Sequence, residues 1–516
     1  MTRSPTRWFC ALAGLLAGAL AIGVGLLVAG ITEVISPIDA VGSTIIDHTP
    51  TGVREWAIEQ FGTNDKLVLR IGIYTVIALV ALGVGALSAR RPLVGVAGMM
   101  AFGIVGAVAA AQQRPAESPG AAVPSILAAI VGALVLHRLI TQPRFHERPD
   151  NMPLETPHES RVPLGWDRRR FLYAGGATAA AAFATGGLGA VLENRRVSAL
   201  RRDAERPLPE FTGAADIPAG AQLYDRTPYI TPVGDFYRID TALSFPNVDV
   251  DRWKVTINGM VDREVSFTYA DLLAMEQQER IVTLCCVSNE VGGRYIGNAS
   301  WRGVMLKDLL AAAGVQPAAE QVFSTSLDGW TCGFPVSVAM DGRDAMVALG
   351  MNGDTLPIEH GFPARLVVPG LYGYVSATKW LSEITLTDWN QQGYWVPRGW
   401  ASEAPVKTQS RIDVPRGGAR LTAGMQPIAG IAWAQHRGIE RVEVRIGDGD
   451  WIEARLATDV TDDSWRQWLV EWDATPGEYA IEVRATDKLG LTQTEQRSSP
   501  APDGATGHHV IRVSVE

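Results

Sequence analysis

Long apolar runs occupy much of the first third of this chain, and they restrict its fold more than any other feature. Four of them are each near the length of roughly 20 residues that a helix needs to cross a bilayer. They cover about Trp8 to Gly30, Ile71 to Ser88, Leu93 to Ala111 and Ala121 to Ile140. Few polar residues interrupt them, and a bilayer admits only segments whose backbone groups are hydrogen-bonded internally. The sequence therefore predicts a four-helix transmembrane region over residues 1–165.

Charged residues orient these predicted spans. Arg3 and Arg7 precede the first span, and Arg90 and Arg91 separate the second from the third. The segment from Glu33 to Asp65 is acidic on balance. The fourth span is followed by Arg138, Arg144 and Arg148. Because Lys and Arg accumulate on the cytoplasmic side, the N-terminus and the 90–91 turn are predicted to be cytoplasmic and the acidic loop to lie outside.

A fifth run, Phe171 to Leu192, is rich in Ala and Gly and only weakly apolar. The arginines Arg168-Arg169-Arg170 precede it, so residues 166–194 resemble a twin-arginine export signal joined to a fifth transmembrane helix. A plain positive-inside anchor is the alternative interpretation of the same arginines. Five spans from a cytoplasmic N-terminus place everything after about residue 195 outside the cytoplasm. Since twin-arginine export carries folded proteins, the pattern also predicts a cofactor acquired before export.

The composition excludes several classes of function. A net charge of −9 gives no basic surface for nucleic acid. The chain has four cysteines, none in a CxxC arrangement, which excludes a disulfide framework and the usual zinc or iron–sulfur spacings. Within the predicted spans the single histidine is His137, so we interpret the helices as an anchor or docking surface and not as a haem carrier. Residues 195–221 are charged and contain Pro, which predicts a linker.

Residues 222–404 have the pattern of a mixed α+β domain. Strands are predicted at Trp253 to Val261, Ile281 to Val287, Gln321 to Leu327 and Ala364 to Val368, and short helices at Tyr269 to Met275 and Met305 to Ala313. One strand runs into Cys285 and Cys286, followed by a polar loop. Because neighbouring strand residues point to opposite faces, only one of the two thiols can face a pocket. Taken alone, such a pair is more often part of a core than a site of chemistry.

Three blocks of this domain resemble the sulfite oxidase family of molybdopterin-dependent oxidoreductases. Leu284-Cys285-Cys286-Val287-Ser288-Asn289 is similar to the family's molybdenum-ligand loop. A second block runs from Asn352 to Gly370 and continues to Trp380, and it is similar to the family's pterin-binding segment. The third, Asp235 to Asp240, corresponds to the family's first cofactor-contacting loop. The blocks occur in the family's order, and the resemblance covers about residues 220–516.

The resemblance implies a molybdenum–molybdopterin cofactor (Moco) and assigns residues to it. Cys286 is expected to be the metal ligand, because a soft thiolate suits a high-valent, oxo-bearing metal. Arg365 and Lys379 suit the pterin phosphate, the first through a two-pronged contact and the second as a point charge. Cofactor contacts are also expected from Tyr237, Arg238, His360, Ala377 and Thr378. Arg238 is in addition the candidate for a catalytic contact with substrate.

The implied reaction is oxygen-atom transfer to or from a small-molecule substrate, while the metal cycles between Mo(VI) and Mo(IV). Glu290 and Val291 stand where sulfite oxidases have arginines that help to bind sulfite, and a carboxylate there would repel a dianion. The direction therefore stays open between oxidation of a small sulfur species and reduction of an S- or N-oxide. The sequence shows no cytochrome b5-like segment, so a separate electron carrier, a cytochrome or a quinone-linked protein, is expected as a partner.

From about Pro405 the chain changes to short alternating strands, which predicts a β-sandwich over residues 405–516. Gly438 to Ile446 and Trp451 to Leu456 have the pattern of a hairpin, and Trp465 to Trp472 and Tyr479 to Ala485 supply further strands. The region resembles the immunoglobulin-like domain that follows the molybdenum domain in this family. That likeness implies a homodimer.

These patterns together predict a multidomain protein. It consists of an all-α transmembrane bundle of five helices, an α+β sulfite-oxidase-type molybdopterin domain and a C-terminal β-sandwich. The predicted function is that of a Moco oxidoreductase anchored in the cytoplasmic membrane, with its catalytic domain outside. Two alternatives remain open from the sequence: a cofactor-free binding or assembly protein anchored in the membrane, and a quinone-linked respiratory subunit.

Overall fold

The computed structural model describes residues 7–61, 64–113, 119–141, 145–147, 161–163, 168–211 and 213–516. Arg3, Arg144 and Arg148, which helped to orient the spans, lie outside the described residues, as do residues 166–167 at the start of the twin-arginine-like segment. The chain forms two compact units. The helical unit comprises Met1–Ala199 with Thr241–Asn247, and the second unit comprises Leu200–Asp240 with Val248–Glu516.

The helical unit is built from helices in all five predicted apolar runs. The helices of this part of the chain are α1 (Arg7–Thr32), α2 (Pro37–His48), α3 (Thr51–Phe61), α4 (Asp65–Ser88), α5 (Pro92–Ala111), α6 (Val123–Thr141) and α7 (Arg168–Ala204). Five of them, α1 and α4 to α7, are long and apolar enough to cross a membrane, by length and composition. A short antiparallel pair, β1 (Phe145–Glu147) and β2 (Arg161–Pro163), lies between α6 and α7 in the chain.

Small residues allow α1 and α4 to pack closely. A Cβ atom added to Gly14 would lie 2.1 Å from the Ala81 carbonyl oxygen and 2.8 Å from the Gly85 Cα. Such close backbone approach is typical of helices that associate within a membrane, where packing replaces the hydrophobic effect. The buried residues of this bundle include Cys10, as its place in the first predicted span requires.

Two features of the helical unit differ from the sequence prediction. The acidic loop from Glu33 to Asp65 contains the helices α2 and α3, which were not predicted. Helix α2 carries a standard start signal, since the Ser36 hydroxyl accepts a hydrogen bond from the Asp39 N–H and Pro37 takes the first helical position. The last helix, α7, continues to Ala204 and so extends into the segment predicted as a linker.

Two sheets and short helices form the α+β part of the second unit. The strands are β3 (Lys254–Gly259), β4 (Val265–Thr268), β5 (Gln278–Cys285), β6 (Ile296–Met305), β7 (Gln321–Ser326), β8 (Thr331–Pro335), β9 (Met346–Met351), β10 (Asp354–Thr355), β11 (Arg365–Val367) and β12 (Leu381–Thr387). The helices are α8 (Tyr269–Ala274), α9 (Leu306–Ala313), α10 (Val336–Met340) and α11 (Gly373–Ser376). One sheet has the order β10-β9-β6-β5 with β11 on β9, and the other has the order β4-β3-β12-β7-β8.

The first of these sheets carries the core that supports the site. Strands β5 and β6 pair antiparallel from Gln278 opposite Gly303 to Cys285 opposite Ile296. Every residue of β6 is buried, and Trp301, Val282 and Leu284 form the centre of this core with residues of β9. A strand buried on both faces is held in one register, which fixes where β5 ends.

The C-terminal part of the second unit is a β-sandwich. Its strands are β13 (Gln409–Val414), β14 (Arg420–Leu421), β15 (Gly424–Trp433), β16 (Ile439–Ile446), β17 (Trp451–Glu453), β18 (Arg455–Leu456), β19 (Arg466–Ala474), β20 (Gly477–Asp487) and β21 (His509–Val515). They form two sheets, β13-β15-β19-β18 and β14-β21-β20-β16-β17. Both sheets contribute to one apolar core, with Trp468 from the first and Val442 and Ile481 from the second.

The hairpin predicted after Gly438 is correct in its first half only. Trp451–Glu453 pairs with β16, Ile452 lying opposite Val444. Arg455–Leu456 instead pairs with β19 in the other sheet. The change of sheet occurs at Ala454, which is buried and donates its N–H to the Val442 carbonyl at 2.8 Å.

Candidate functional site

Cys286 is the first residue beyond β5. Its N–H donates to the Tyr295 carbonyl at 2.9 Å, and its carbonyl accepts the Asn289 N–H at 3.0 Å, so the loop turns tightly at this point. The Cys286 side chain is partly exposed, whereas Cys285 is 2% exposed. The alternation of the strand thus separates the two thiols, with Cys285 in the core and Cys286 at the surface of the sheet end.

The Cys286 thiol has a raised pKa. Burial is the main cause, and hydrogen bonds from the backbone and side chain of Ser288 oppose it. Such a thiol stays protonated at neutral pH until a cation stabilises the thiolate, as a coordinated metal does outright. In the part of the chain that the structure describes, no group of three or more His, Cys, Asp or Glu could hold a metal ion.

The segment with Tyr237 lies against the sheet beside this loop. A Cβ atom on Gly297 would lie 2.7 Å from the Phe236 ring, so that ring occupies space that a glycine on β6 leaves open. Phe236 stacks on Tyr237, with ring centroids 5.2 Å apart, and meets Trp301 edge to face. Burial raises the pKa of Tyr237, and the charges of Cys286 and Cys285 raise it further, so the phenol lies near both thiols.

Arg365 begins β11 and is 5% exposed. Its Nη1 donates to the His360 carbonyl at 3.1 Å, and its guanidinium lies 4.9 Å from the centre of the Trp301 ring. Among the described residues no carboxylate lies within ion-pair distance of it. Burial lowers the pKa of Arg365 to about 10, and Tyr237 opposes that effect. A buried cation without a carboxylate is costly unless an anion joins it, so this position is suited to an anionic ligand.

Lys379 already has a carboxylate partner, which the sequence did not indicate. Its Nζ lies 2.5 Å from Asp240 Oδ2, and Arg238 Nε lies 3.1 Å from the same oxygen. Burial lowers the pKa of Lys379 to about 8, while Asp240 opposes that effect. Asp328 is close to this pair, but burial raises the pKa of its carboxyl. Asp240 is thus paired with both Lys379 and Arg238. Together with Arg365 these side chains form a cluster with a net positive charge.

His360 closes the cluster on a short 3-10 turn. Its Nε2 lies 3.2 Å from the Val233 carbonyl, so Nε2 carries the proton and Nδ1 is a free acceptor in the neutral ring. Burial, then Arg365, lowers the pKa of His360 to about 4. The next residue, Gly361, has φ +117°, and a Cβ there would lie 3.0 Å from the Lys379 Cα and 3.1 Å from the Arg365 Cβ. Glycine at this position lets the three functional side chains come together.

Ala377 and Thr378 lie beneath the cluster. The Thr378 hydroxyl hydrogen-bonds to Ser324 at 2.7 Å and contacts Cys332 Sγ at 3.1 Å, and its carbonyl accepts the Leu366 N–H. The Ala377 N–H is bonded to the Gly373 carbonyl. These bonds hold β11 in place, and the cofactor contacts expected from Ala377 and Thr378 stay a prediction. Cys332 is buried there.

The site is suited to an anionic cofactor that carries a metal, because it offers both a thiol and a buried cation. Within the Cys286 loop, the Asn289 side chain accepts the Tyr295 N–H at 2.7 Å and hydrogen-bonds to Cys285, so it stiffens the loop. The buried Arg365 guanidinium, which has no carboxylate partner among the described residues, is the group that favours an anion here. Sequence reasoning missed Asp240, Trp301 and the role of Asn289. The one indication in the sequence was that Arg238 and Asp240, which have opposite charges, are only two residues apart and so could form an ion pair.

A separate cavity of about 220 Å³ contains none of the predicted site residues. It is lined by residues of β8, α10 and the 402–405 segment, together with Gln435, His436 and Arg437 of the sandwich.

Several known proteins resemble this chain in sequence or in structure. Residues 242–395 match the family described as the oxidoreductase molybdopterin binding domain. The human mitochondrial sulfite oxidase is 29% identical over 302 residues, covering 49% of this chain and 55% of the human protein. The chain thus spans about half the length of that relative. An uncharacterised oxidoreductase of Bacillus subtilis, YuiH, is 33% identical over 152 residues, covering 30% of this chain and 74% of its own length. The structure of the sulfane dehydrogenase SoxCD from Paracoccus pantotrophus superposes with a TM-score of 0.48 and 25% identity, covering 59% of this chain and 85% of the SoxCD chain.

Proposed function

The chain belongs to the sulfite oxidase family of molybdopterin-binding oxidoreductases, and on that premise we propose that it transfers an oxygen atom to or from a small substrate at a Moco site beside Cys286. One observation carries this proposal. The partly exposed Cys286 thiol and the buried Arg365 guanidinium, which has no carboxylate partner in the described chain, are both close enough to Tyr237 to affect its pKa. Together they supply one soft metal ligand and one unneutralised cation for an anionic cofactor.

In this proposal the residues divide the work of holding the cofactor. Cys286 binds the metal, Arg365 binds the pterin phosphate, and the Nδ1 of His360 accepts a hydrogen bond from the pterin. Asp240 compensates Lys379 and holds its side chain in place. When bound, Moco supplies two-electron oxygen-atom chemistry, and the protein supplies position and electrostatics.

The substrate we propose is a neutral or weakly charged oxo compound or sulfur species and not a dianion. Glu290 follows Cys286 within the same loop and is exposed. A carboxylate beside the metal ligand repels a second negative charge. Arg238 has 38% of its side chain exposed, so it remains the candidate for the substrate contact, although Asp240 already pairs with it.

We also propose that the protein works in the cytoplasmic membrane, with the second unit outside and a separate electron carrier as its partner. Support comes from the five helices that are long and apolar enough to cross a membrane and from the distribution of arginines around them. The resemblance of the sandwich to an immunoglobulin-like domain suggests a homodimer.

Metal analysis of the purified protein tests the proposal. We expect about one molybdenum atom per chain in the wild type and in the matched control Cys285→Ser, because Cys285 lies in the core. In Cys286→Ser the pterin would still hold the metal, so we expect reduced metal content and loss of one sulfur ligand in X-ray absorption spectra. Two dye assays then determine the direction: reduction of ferricyanide with a neutral thioether, and oxidation of a reduced viologen with an S-oxide.

A wild-type protein without molybdenum would contradict the enzyme assignment and support a cofactor-free binding protein. Activity with a quinol in reconstituted membranes, lost in a chain that lacks residues 1–165, would instead support a quinone-linked respiratory subunit.

A further inference from the structure

The loop that carries Tyr237, Arg238 and Asp240 continues directly into the helical unit. Residues Thr241–Asn247 belong to that unit, whereas Asp240 and Val248 belong to the second unit. Ordering the backbone of this seven-residue segment costs conformational entropy, which contacts with the helical unit must offset. The helical unit supplies them from several helices.

Two basic residues of α4 bind the carbonyl groups at the start of this segment. Lys66 Nζ donates to the Ala242 carbonyl at 2.6 Å, and Arg70 Nη2 donates to the Leu243 carbonyl at 2.8 Å. Lys66 and Arg70 lie one helical turn apart, on the same face of α4. Arg70 Nη2 also lies 2.8 Å from Asp39 Oδ1 of α2, which fixes the guanidinium. Charge-assisted hydrogen bonds to successive carbonyls hold the backbone at both residues.

An apolar contact holds the same residues. Leu243 is 9% exposed, and a Cβ atom added to Gly42 of α2 would lie 2.4 Å from its Cδ1 and 3.3 Å from the Ile73 Cδ1. The absence of a side chain at Gly42 therefore creates the slot that Leu243 fills. At the far end of the segment, Asn247 Nδ2 donates to Glu33 Oε2 at 3.2 Å.

We propose that the helical unit positions the active site through this segment. Lys66, Arg70 and the slot at Gly42 hold residues 242 and 243. An extended chain spans no more than about 3.5 Å per residue, so Asp240 cannot move far from these anchored residues. Asp240 is the carboxylate that binds both Lys379 and Arg238. The inference rests on the proposed function for the identity of the site. It makes Lys66 and Arg70 positioning residues of a Moco site that they do not touch.

Tryptic cleavage after Arg238 measures the mobility of this loop directly, because cleavage requires local opening. The experiment uses the full chain in detergent and follows the fragment ending at Arg238 by mass spectrometry. Arg70→Ala and Leu243→Ala are the test variants. Arg90→Ala is the matched control, since Arg90 is an exposed arginine of the same unit. We expect cleavage at least about tenfold faster in both test variants, which corresponds to about 1.4 kcal/mol of lost restraint, and an unchanged rate in the control.

Retention of molybdenum during dialysis is the second measurement. We expect faster loss from Arg70→Ala and Leu243→Ala than from Arg90→Ala, and partial recovery in Arg70→Lys, which keeps one donor. Leu243→Ala lies outside every helix, so it remains a valid test if Arg70→Ala fails to insert in the membrane.

Cleavage and metal retention equal to the control in both variants would overturn the inference. A wild-type protein without molybdenum would contradict the proposed function alone, because the proteolysis would still report whether the helical unit restrains the loop.

Discussion

The charge of the site depends mainly on Arg365. Its guanidinium is buried, and its described neighbours are the His360 and Leu366 carbonyls and the face of Trp301. Neutral acceptors satisfy the N–H groups but leave the positive charge uncompensated. Lys379 differs, because Asp240 compensates it. Arg365 is therefore the residue whose removal should affect cofactor binding most and the apoprotein least.

We predict that Arg365→Gln loses cofactor without unfolding. A charged hydrogen bond contributes about 1.5 to 3 kcal/mol, so molybdopterin retention should fall at least about tenfold. The stability of the apoprotein should change by about 1 kcal/mol or less, since removing a buried unpaired charge offsets the lost hydrogen bonds. Quantification of released pterin by fluorescence, with thermal unfolding of the apoprotein, checks both. A large loss of stability together with normal pterin content would contradict this account.

At the scale of elements, the sandwich helps to fix the strand and the loop on either side of Cys286. On β5, Thr283 donates its N–H to the Asp463 carbonyl at 2.9 Å, and its hydroxyl accepts the Trp465 N–H at 2.8 Å. Beyond Cys286, Arg411 donates to the Gly293 carbonyl at 2.8 Å, and a Cβ on Gly292 would lie 2.4 Å from the His509 ring. The β-sandwich thus supports the strand and loop that carry Cys286, the proposed metal ligand.

His509 should make this support sensitive to acid. Its Nδ1 accepts the Ile412 N–H at 2.9 Å, which requires an unprotonated nitrogen. Burial, then Arg411, lowers the pKa of His509 to about 4. In the unfolded chain the pKa of this histidine is near 6.5, so the unfolded state binds more protons than the folded state between about pH 4 and pH 6.5. The contribution of neutral His509 to stability is therefore complete above about pH 6.5 and is lost as the pH falls towards 4.

We predict that His509→Gln removes up to about 3 kcal/mol of the acid-induced loss of stability, because Gln keeps an acceptor but does not titrate. Denaturant unfolding at pH 7 and pH 4.5, followed by tryptophan fluorescence, measures the difference. Identical pH dependence in the wild type and the variant would show that His509 is not responsible.

At the scale of the whole molecule, the proposed location of the second unit outside the membrane can be tested through the arginines at the start of α7. Arg168 and Arg169, the first two residues of α7, fit both twin-arginine export and a simple charged anchor. We predict that the double variant Arg168→Lys with Arg169→Lys blocks export of the second unit. The charge is unchanged, so a positive-inside anchor would be unaffected.

Protease accessibility in spheroplasts measures this outcome. The second unit should be digested in the wild type and in the control Arg201→Lys with Arg202→Lys, and protected in the test variant. Digestion in all three proteins would favour the simple anchor.

The sequence by itself determined the five apolar helices, the strand that ends at Cys285 and the assignment of a molybdopterin site. These features are recorded in hydrophobic periodicity and in short motifs, which act between near neighbours in the chain. The helices α2 and α3 could also have been found, at least in part, from the Ser36-Pro37 start signal.

The tertiary structure alone decided which charges of the site are compensated and what holds its loop. Lys379 and Asp240 are 139 residues apart in the chain, and Arg70 and Leu243 are 173 apart. No local pattern records pairs at such separations, because they form only when packing brings distant segments together. For the same reason Arg365, which looks equivalent to Lys379 in the sequence, remains without a carboxylate in the described structure and is the position best suited to an anionic cofactor.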